Sequence, residues 1–470
     1  MRIEQIYTGC LAQGAYYVES NGEVAIIDPL REVSPYMERA EKDNAKIKYI
    51  FETHFHADFV SGHLTLAKNT GAKIVFGPNA ETNYEAYTAK DNEEFKLGDI
   101  TIIALHTPGH TMESTSYLLR DKNGKDHALF SGDTLFLGDV GRPDLAQKVG
   151  VLTEEDLAGF LFDSLRTKIM PLADDVIVYP AHGAGSACGK NLSKETLGTI
   201  GNQKKVNYAL RADMTKDEFI KEVTDGLLPP PAYFPLNVKL NKEGYQHIDK
   251  IIAKGTTALS VDDFEKIAND TDALILDVRH QSEFIKGFIP RSIFIGIDGG
   301  FAPWVGALIK DIEQPILIVA PKGREEEVII RLSRVGFDHT LGYLDGSFGA
   351  WKAAGKEVDT LVSVSADTLE KEIKENNVPV FDVRRPGEYT NEHIIDVPST
   401  PLDYLNSHIN EFPTDRNFYV HCAGGYRSVI ASSILKARGI HNVIDVTGGY
   451  KSIKKTGILT TEKVCPSTLK

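Results

Sequence analysis

A chain of 470 residues, 42% hydrophobic and 25% charged, is too long for one core and too ordinary in composition to be disordered, so about two to four folded domains are expected. A formal net charge of -14 argues against nucleic acid or an anionic membrane surface as a general partner. Four cysteines make no disulfide framework, no apolar run approaches the roughly 20 residues of a membrane span, and the first residues do not pattern as a secretory leader. A soluble, cytoplasmic protein is expected.

Short strands are predicted at Val24 to Ile27, Tyr49 to Glu52, Ile100 to Leu105, Ala128 to Ser131 and Val176 to Tyr179. Each runs into a loop rich in His, Asp or Gly, the pattern of a rigid sheet that delivers chemistry to its strand ends. The proline-rich segment Leu228 to Pro235 reads as neither helix nor central strand, and so as the end of a first domain, packed arm or linker. Beyond it the chain repeats itself. Asp277-Val278-Arg279 with Glu283 recurs as Asp382-Val383-Arg384 with Glu388, and each copy is followed by a second strand, a loop, a helix and a late glycine turn. Strand–helix alternation at this spacing predicts two small α/β domains with parallel sheets.

The first region carries a metal-ligand pattern. His54 and His56 alternate after a strand with Asp58 in phase, and His110, Asp133 and His182 each follow a later strand. These residues resemble the metallo-β-lactamase fold superfamily over roughly residues 1–235. The two-metal hydrolases of that superfamily carry a histidine directly after the aspartate, where this chain has Phe59. Phenylalanine has no lone pair, so a single metal is favoured. The resemblance to persulfide dioxygenases then implies one Fe(II) per chain on His54, His110 and Asp133, two imidazoles and a carboxylate with open positions. His56, Asp58 and His182 become groups that orient ligands and water. The segment Gly138 to Asp144 resembles a loop of the same enzymes, which implies that Arg142, with Tyr179, binds an anionic persulfide or its carrier.

In the second repeat, His421-Cys422-Ala423-Gly424-Gly425-Tyr426-Arg427-Ser428 follows a strand and opens a helix. A cysteine there sits among unpaired N–H groups at a positive helix end, which favours a thiolate and an anionic persulfide. Arg427 adds a fixed charge for thiosulfate or sulfite. The loop resembles that of the rhodanese sulfurtransferases, which implies Cys422 as nucleophile, with Gly425, Arg427 and Ser428 building the transferase loop. The first repeat has Val319-Ala320-Pro321-Lys322-Gly323-Arg324 and a run of glutamates instead, with no cysteine, and reads as catalytically dead. Cys188, close behind His182, reads as a relay thiol or a packed residue, whereas Cys10 and Cys465 have no such context.

The expected fold is therefore an αββα metallo-β-lactamase-fold domain followed by two rhodanese-like α/β domains: residues 1–235, a linker at 236–256, an inactive domain at 257–358 and an active one at 363–470. The whole resembles the multidomain persulfide dioxygenase–sulfurtransferases. That implies a thiol persulfide, O2, sulfite and thiosulfate as small-molecule partners, with no nucleic acid and no membrane, and a homo-oligomer. Two alternatives stay open. One is a glyoxalase II-like thioesterase with a two-metal site; the other is a non-catalytic sulfur carrier or redox sensor.

Overall fold

The structure is a computed structural model that describes residues 1–147, 151–190 and 192–464; Cys465 lies outside them. The chain divides into two compact units, Met1–Asp249 with Ser333–Gly336, and Lys250–Leu332 with Phe337–Lys470.

The first unit holds two six-stranded sheets. One runs β1 (Arg2–Thr8), β2 (Gln13–Ser20), β3 (Glu23–Ile27), β4 (Lys46–Phe51), β5 (Lys73–Phe76) and β6 (Tyr87–Thr88) in spatial order. The other contains β7 (Glu93–Leu97), β8 (Ile100–His106), β9 (Thr115–Arg120), β10 (Asp126–Gly132), β11 (Ile177–Pro180) and β12 (Gly198–Thr199), also in sequential neighbourhood. Strand alternation sorts their side chains into three layers. Tyr16, Val18, Ala25, Ile27 and Phe51 of the first sheet meet Ile100, Ile102, Tyr117, Leu119 and Phe130 of the second between the sheets. The alternate residues Ala15, Tyr17, Val24 and Ile26 pack outward onto Tyr36, Ala40 and Leu66, which lie on the helices Ser34–Lys42 and His63–Thr70. On the far face, Ile103, Leu118, Leu129 and Val178 cover Ala158, Leu161, Phe219 and Val223 of the helices Glu154–Ser164 and Lys216–Thr224. This is the αββα order. The five strands read from sequence are β3, β4, β8, β10 and β11, each within three residues at either end.

One reading changes. The stretch 236–256, taken as a linker, is helical: Phe234–Glu243 and Ile248–Gly255. Pro235 falls at the start of the first helix, where its missing N–H costs nothing and its fixed φ suits the turn. Asn241 of that helix is buried, and its amide donates to the carbonyls of His56 and Phe59, both at 2.8 Å, while its oxygen accepts from Ser61 N at 2.9 Å. The helix is thus a clamp on the loop after β4 and belongs to the first unit.

The second unit contains the repeat. Its five-stranded sheet has the order β13 (Ala258–Leu259), β17 (Thr340–Leu344), β16 (Ile316–Val319), β14 (Leu274–Asp277), β15 (Ile293–Phe294), and every pairing is parallel. The four-stranded sheet β18 (Ser363–Val364), β21 (Val443–Val446), β20 (Phe418–His421), β19 (Val380–Asp382) repeats it, again all parallel. The recurring Asp-Val-Arg has a physical cause. Arg279 grips the Asp277 carboxylate through Nε and Nη2 and the carbonyl of Gly287; Arg384 does the same with Asp382 and Glu392. Both carboxylates are fully buried, so each needs its guanidinium.

Among the described residues no helix is long and apolar enough to cross a membrane. Asn241→Ala should strand two carbonyls and one N–H, lowering the melting temperature of the first unit by the equivalent of about 3 kcal/mol. An unchanged calorimetric transition would show that the helix does not clamp the loop.

Candidate metal centre and cysteine loop

Four strand ends converge. β4 leads into His54, His56 and Asp58, β8 into His110, β10 into Asp133 and β11 into His182, and all six side chains are buried. His110 Nε2 stands 3.3 Å, and His54 Nε2 3.9 Å, from Asp133 Oδ2. His182 Nε2 lies 3.5 Å from Asp133 Oδ1 and 3.6 Å from Asp58 Oδ2. The donors form four overlapping sets of three that could hold an ion: His54, His110, Asp133; His56, Asp58, His182; Asp133, His182, Cys188; and Asp28, Glu52, His56. Asp58 Oδ1 and both ring nitrogens of His182 are buried without a hydrogen bond among the described residues, a cost that a bound cation would offset. The residues therefore fit a metal.

The ligand orientations follow from outer contacts. Thr53 Oγ1 donates to Asp28 Oδ2 at 2.9 Å, so at 3.0 Å from His54 Nδ1 it accepts the ring proton. The carbonyl of Arg142 accepts from His110 Nδ1 at 2.8 Å. Both imidazoles then present a bare Nε2 toward Asp133. Burial, with His56, His110 and His182 nearby, holds His54 well below the usual imidazole range and keeps that nitrogen free.

His56 is held differently. Its Nε2 faces Asp28 Oδ1 at 3.1 Å and Glu52 Oε2 at 3.6 Å. Burial alone pulls its pKa down, but Asp28, with Glu52 and Asp58, outweighs that and raises it to about 9. Phe59, fully buried, stacks on the His56 ring at 4.3 Å between centroids, 29° from parallel. An apolar ring thus fills the place beside Asp58.

The remaining candidates separate. Cys188 is buried against Asp133 and His182, and burial together with Asp58 and Asp133 pushes its thiol well up. The Arg142 guanidinium is engaged by Asp144, at 2.6 and 2.7 Å, and by the carbonyls of Leu228 and Ala187. Tyr179 packs in the intersheet layer against Phe130 and Tyr16, with centroids 5.4 and 5.3 Å away; no contact among the described residues places it on the ligand set. Sequence reasoning missed Asp28, Glu52, Thr53 and Asn241. Asp28 follows a strand as Asp133 does, so the same rule would have found it; Asn241 gave no signal once its helix was taken as linker.

The second site is the loop after β20. Gly425 N donates to Cys422 Sγ at 3.1 Å, and the Cys422 carbonyl accepts from Tyr450 N at 2.6 Å. Gly425 has φ +95° and Gly449 φ +54°; a Cβ on Gly449 would meet the Cys422 carbonyl oxygen at 2.3 Å, so the two glycines let the loop close. Arg427, first residue of the helix Arg427–Ala437, is held bidentately by Glu388 at 2.5 and 2.8 Å. Burial would raise the Glu388 pKa, but Arg427 outweighs it and the carboxyl titrates below its usual range. Ser428 is buried, facing Asp445. Strand register settles the other repeat: β19 pairs Asp382 with His421 and β14 pairs Asp277 with Val319, so Ala320 stands where Cys422 does.

A model of the metallo-beta-lactamase superfamily matches residues 8–182, and a rhodanese-like domain model matches 260–354 and again 365–456. A solved metallo-beta-lactamase from Staphylococcus aureus subsp. aureus COL is 30% identical, covering 73% of this chain and 98% of that one, with a TM-score of 0.64. The chain belongs to the metallo-beta-lactamase superfamily. In this member the fold is followed by two rhodanese-like α/β domains. A cytoplasmic hydroxyacylglutathione hydrolase of Arabidopsis thaliana is 36% identical over 138 residues, 28% of this chain and 53% of that protein. A probable hydroxyacylglutathione hydrolase of Schizosaccharomyces pombe is 30% identical over 167 residues, 35% of this chain and 60% of that protein. The chain thus spans little more than half the length of these curated relatives. Within this superfamily, Phe59 makes a direct test. Phe59→His should add a donor beside Asp58 and raise the zinc retained per chain, at a packing cost of about 1–3 kcal/mol. Equal zinc in both proteins after dialysis against the metal would show that Phe59 does not limit the second donor set.

Proposed function

We propose that this chain is a non-haem iron persulfide dioxygenase coupled to rhodanese sulfur transfer. The observation that carries the reading is Phe59, which puts a buried ring on His56 and leaves His54, His110 and Asp133 as the better three-donor set. Those residues would hold one Fe(II) per chain; when bound, iron of this coordination supplies dioxygen chemistry. His56, Asp58 and His182 then serve to orient substrate and water.

The overall reaction balances as RSS− + O2 + H2O giving RS−, SO3 2− and 2 H+. The second site uses the sulfite. The Cys422 thiolate attacks the outer sulfur of a second RSS−, the S–S bond breaks, and RS− leaves. Sulfite then takes the outer sulfur from the Cys422 persulfide, restoring the thiolate and yielding S2O3 2−. No net charge or proton is lost in either transfer. The loop N–H of Gly425 faces the Cys422 sulfur, and Arg427, paired with Glu388, lines the same cavity, which supports a role for it toward the sulfur oxyanion. Fusion raises the local concentration of sulfite at Cys422. A glutathione-like carrier is supported by the names of the curated relatives, hydroxyacylglutathione hydrolases. Arg142 is proposed to act through Asp144 and its carbonyl bond to His110, Tyr179 as a substrate-side hydroxyl, and Cys188 as a thiol in reach of sulfur at the metal centre.

One observation favours a second reading. His56, Asp58 and His182 also form a donor set, which a two-metal thioesterase would use. Elemental analysis after anaerobic purification, with oxygen uptake on glutathione persulfide, separates the two. One iron per chain and oxygen uptake are expected; two zinc ions with thioester hydrolysis and no uptake would overturn the dioxygenase reading. His110→Ala should abolish uptake while thiosulfate sulfurtransfer by Cys422 continues; loss of both in a folded protein would show that the sites are not independent. Cys422→Ser should keep oxygen uptake and shift the product from thiosulfate to sulfite. Thiosulfate formed at the wild-type rate would place the second step elsewhere.

A further inference from the structure

The cysteine-free repeat is part of the Cys422 site. The cavity over Cys422 measures about 540 Å³, and its lining includes Gly300 and Trp304 of the first repeat beside Arg385, Tyr426 and Arg427 of the second. Trp304 lies on the helix Phe301–Leu308 and is largely buried, with the Arg385 guanidinium 6.0 Å from its ring centroid. Tyr426, inside the cysteine loop, is anchored in the first repeat. Its hydroxyl donates to the Gly296 carbonyl at 2.7 Å, and its ring occupies a slot floored by glycines. A Cβ on Gly299 would lie 2.2 Å from the Tyr426 ring, and one on Gly296 at 3.2 Å. Any side chain at 299 would push the tyrosine, and the loop with it, out of place. Next to the slot, Phe294 N donates to Ser433 Oγ at 3.0 Å, tying β15 to the helix that starts at Arg427.

The cavity is far larger than an inorganic donor needs; a volume of this size suits a small organic molecule. Its walls are of two kinds. Arg385 and Arg427 line it together with Glu388, whose carboxylate pairs with Arg427, so Arg385 is the main charge offered to a carboxylate or a sulfur anion, and the Trp304 indole offers a flat apolar face. We propose that Trp304, supplied by the repeat that has no nucleophile, is a specificity-determining residue that selects a carboxylated organic persulfide of tripeptide size as the sulfur donor to Cys422. The inference rests on the transferase reading above and names its donor class. The step is the transfer already balanced: the Cys422 thiolate takes the outer sulfur of RSS−, the S–S bond breaks, and RS− leaves the cavity.

The test uses the full chain under anaerobic conditions, with glutathione persulfide and thiosulfate as alternative donors. Persulfidation of the Cys422 peptide is followed by rapid-quench mass spectrometry as a function of donor concentration. Trp304→Ala should lower the preference for glutathione persulfide over thiosulfate about tenfold, through the half-saturation concentration more than the limiting rate. Trp304→Leu, which keeps an apolar side chain in the packed part of the position, should give an intermediate loss and serves if the alanine variant does not fold. A donor preference equal to wild type in either folded variant overturns the assignment of Trp304. If wild-type Cys422 is loaded by neither donor, the transferase reading fails as well.

Discussion

A single buried carboxylate sets the metal loop. Asp28 accepts the backbone N–H of Thr53 at 2.8 Å and its hydroxyl at 2.9 Å, and stands 3.1 Å from His56. Three consecutive features of the loop after β4 therefore refer to one fixed anion at the end of β3. Remove it, and Thr53 no longer has reason to accept from His54, so the tautomer of that ligand is lost along with the anchor of His56. A carboxylate so far from water would itself be costly; two hydrogen bonds from Thr53 and the neighbouring His56 ring offset that cost, which explains why the group and its partners occur together. The rest of the centre is brought to this loop by the neighbouring strand ends.

The second unit shows how one scaffold is put to two uses. The Asp–Arg pair survives in both repeats because it is structural: a buried acid and base that fasten the loop after the first strand. The nucleophile loop carries no such obligation. Where Ala320 replaces the thiol, the helix begins with three glutamates, good for the positive end of a helix and poor for holding an anion. Arg324 is turned to Glu327 and Asp298. The sheet is intact without the cysteine.

The sequence reveals what rests on local pattern. Strand alternation, strand-end histidines and the cysteine–glycine loop were all legible, because each is written within about ten residues of chain. The helix Phe234–Glu243 was not legible because a run of prolines before it reads as a breaker, and only its position at the first turn makes Pro235 compatible with a helix. Glu52 was hidden for another reason: acids beside strands are common, and only the folded sheet shows that it faces the same imidazole as Asp28, which the strand-end rule would have found. Arg142 reads from sequence either as a substrate-side cation or as half of a structural salt bridge; which partner it takes, here Asp144 two residues on, is a matter of rotamer and not of composition.

The clamp from Asn241 has a consequence for the order in which the protein is made. The carbonyl of His56 and the amide that holds it are 185 residues apart in the chain. At about 5–20 residues per second, a ribosome takes roughly 10 to 40 seconds to cover that distance. By the time residue 200 has been made every strand of both sheets exists, yet the loop that carries His54, His56 and Asp58 still lacks its last fastening. The loop is thereby fastened by this helix only after every strand that leads to His110, Asp133 and His182 has been made.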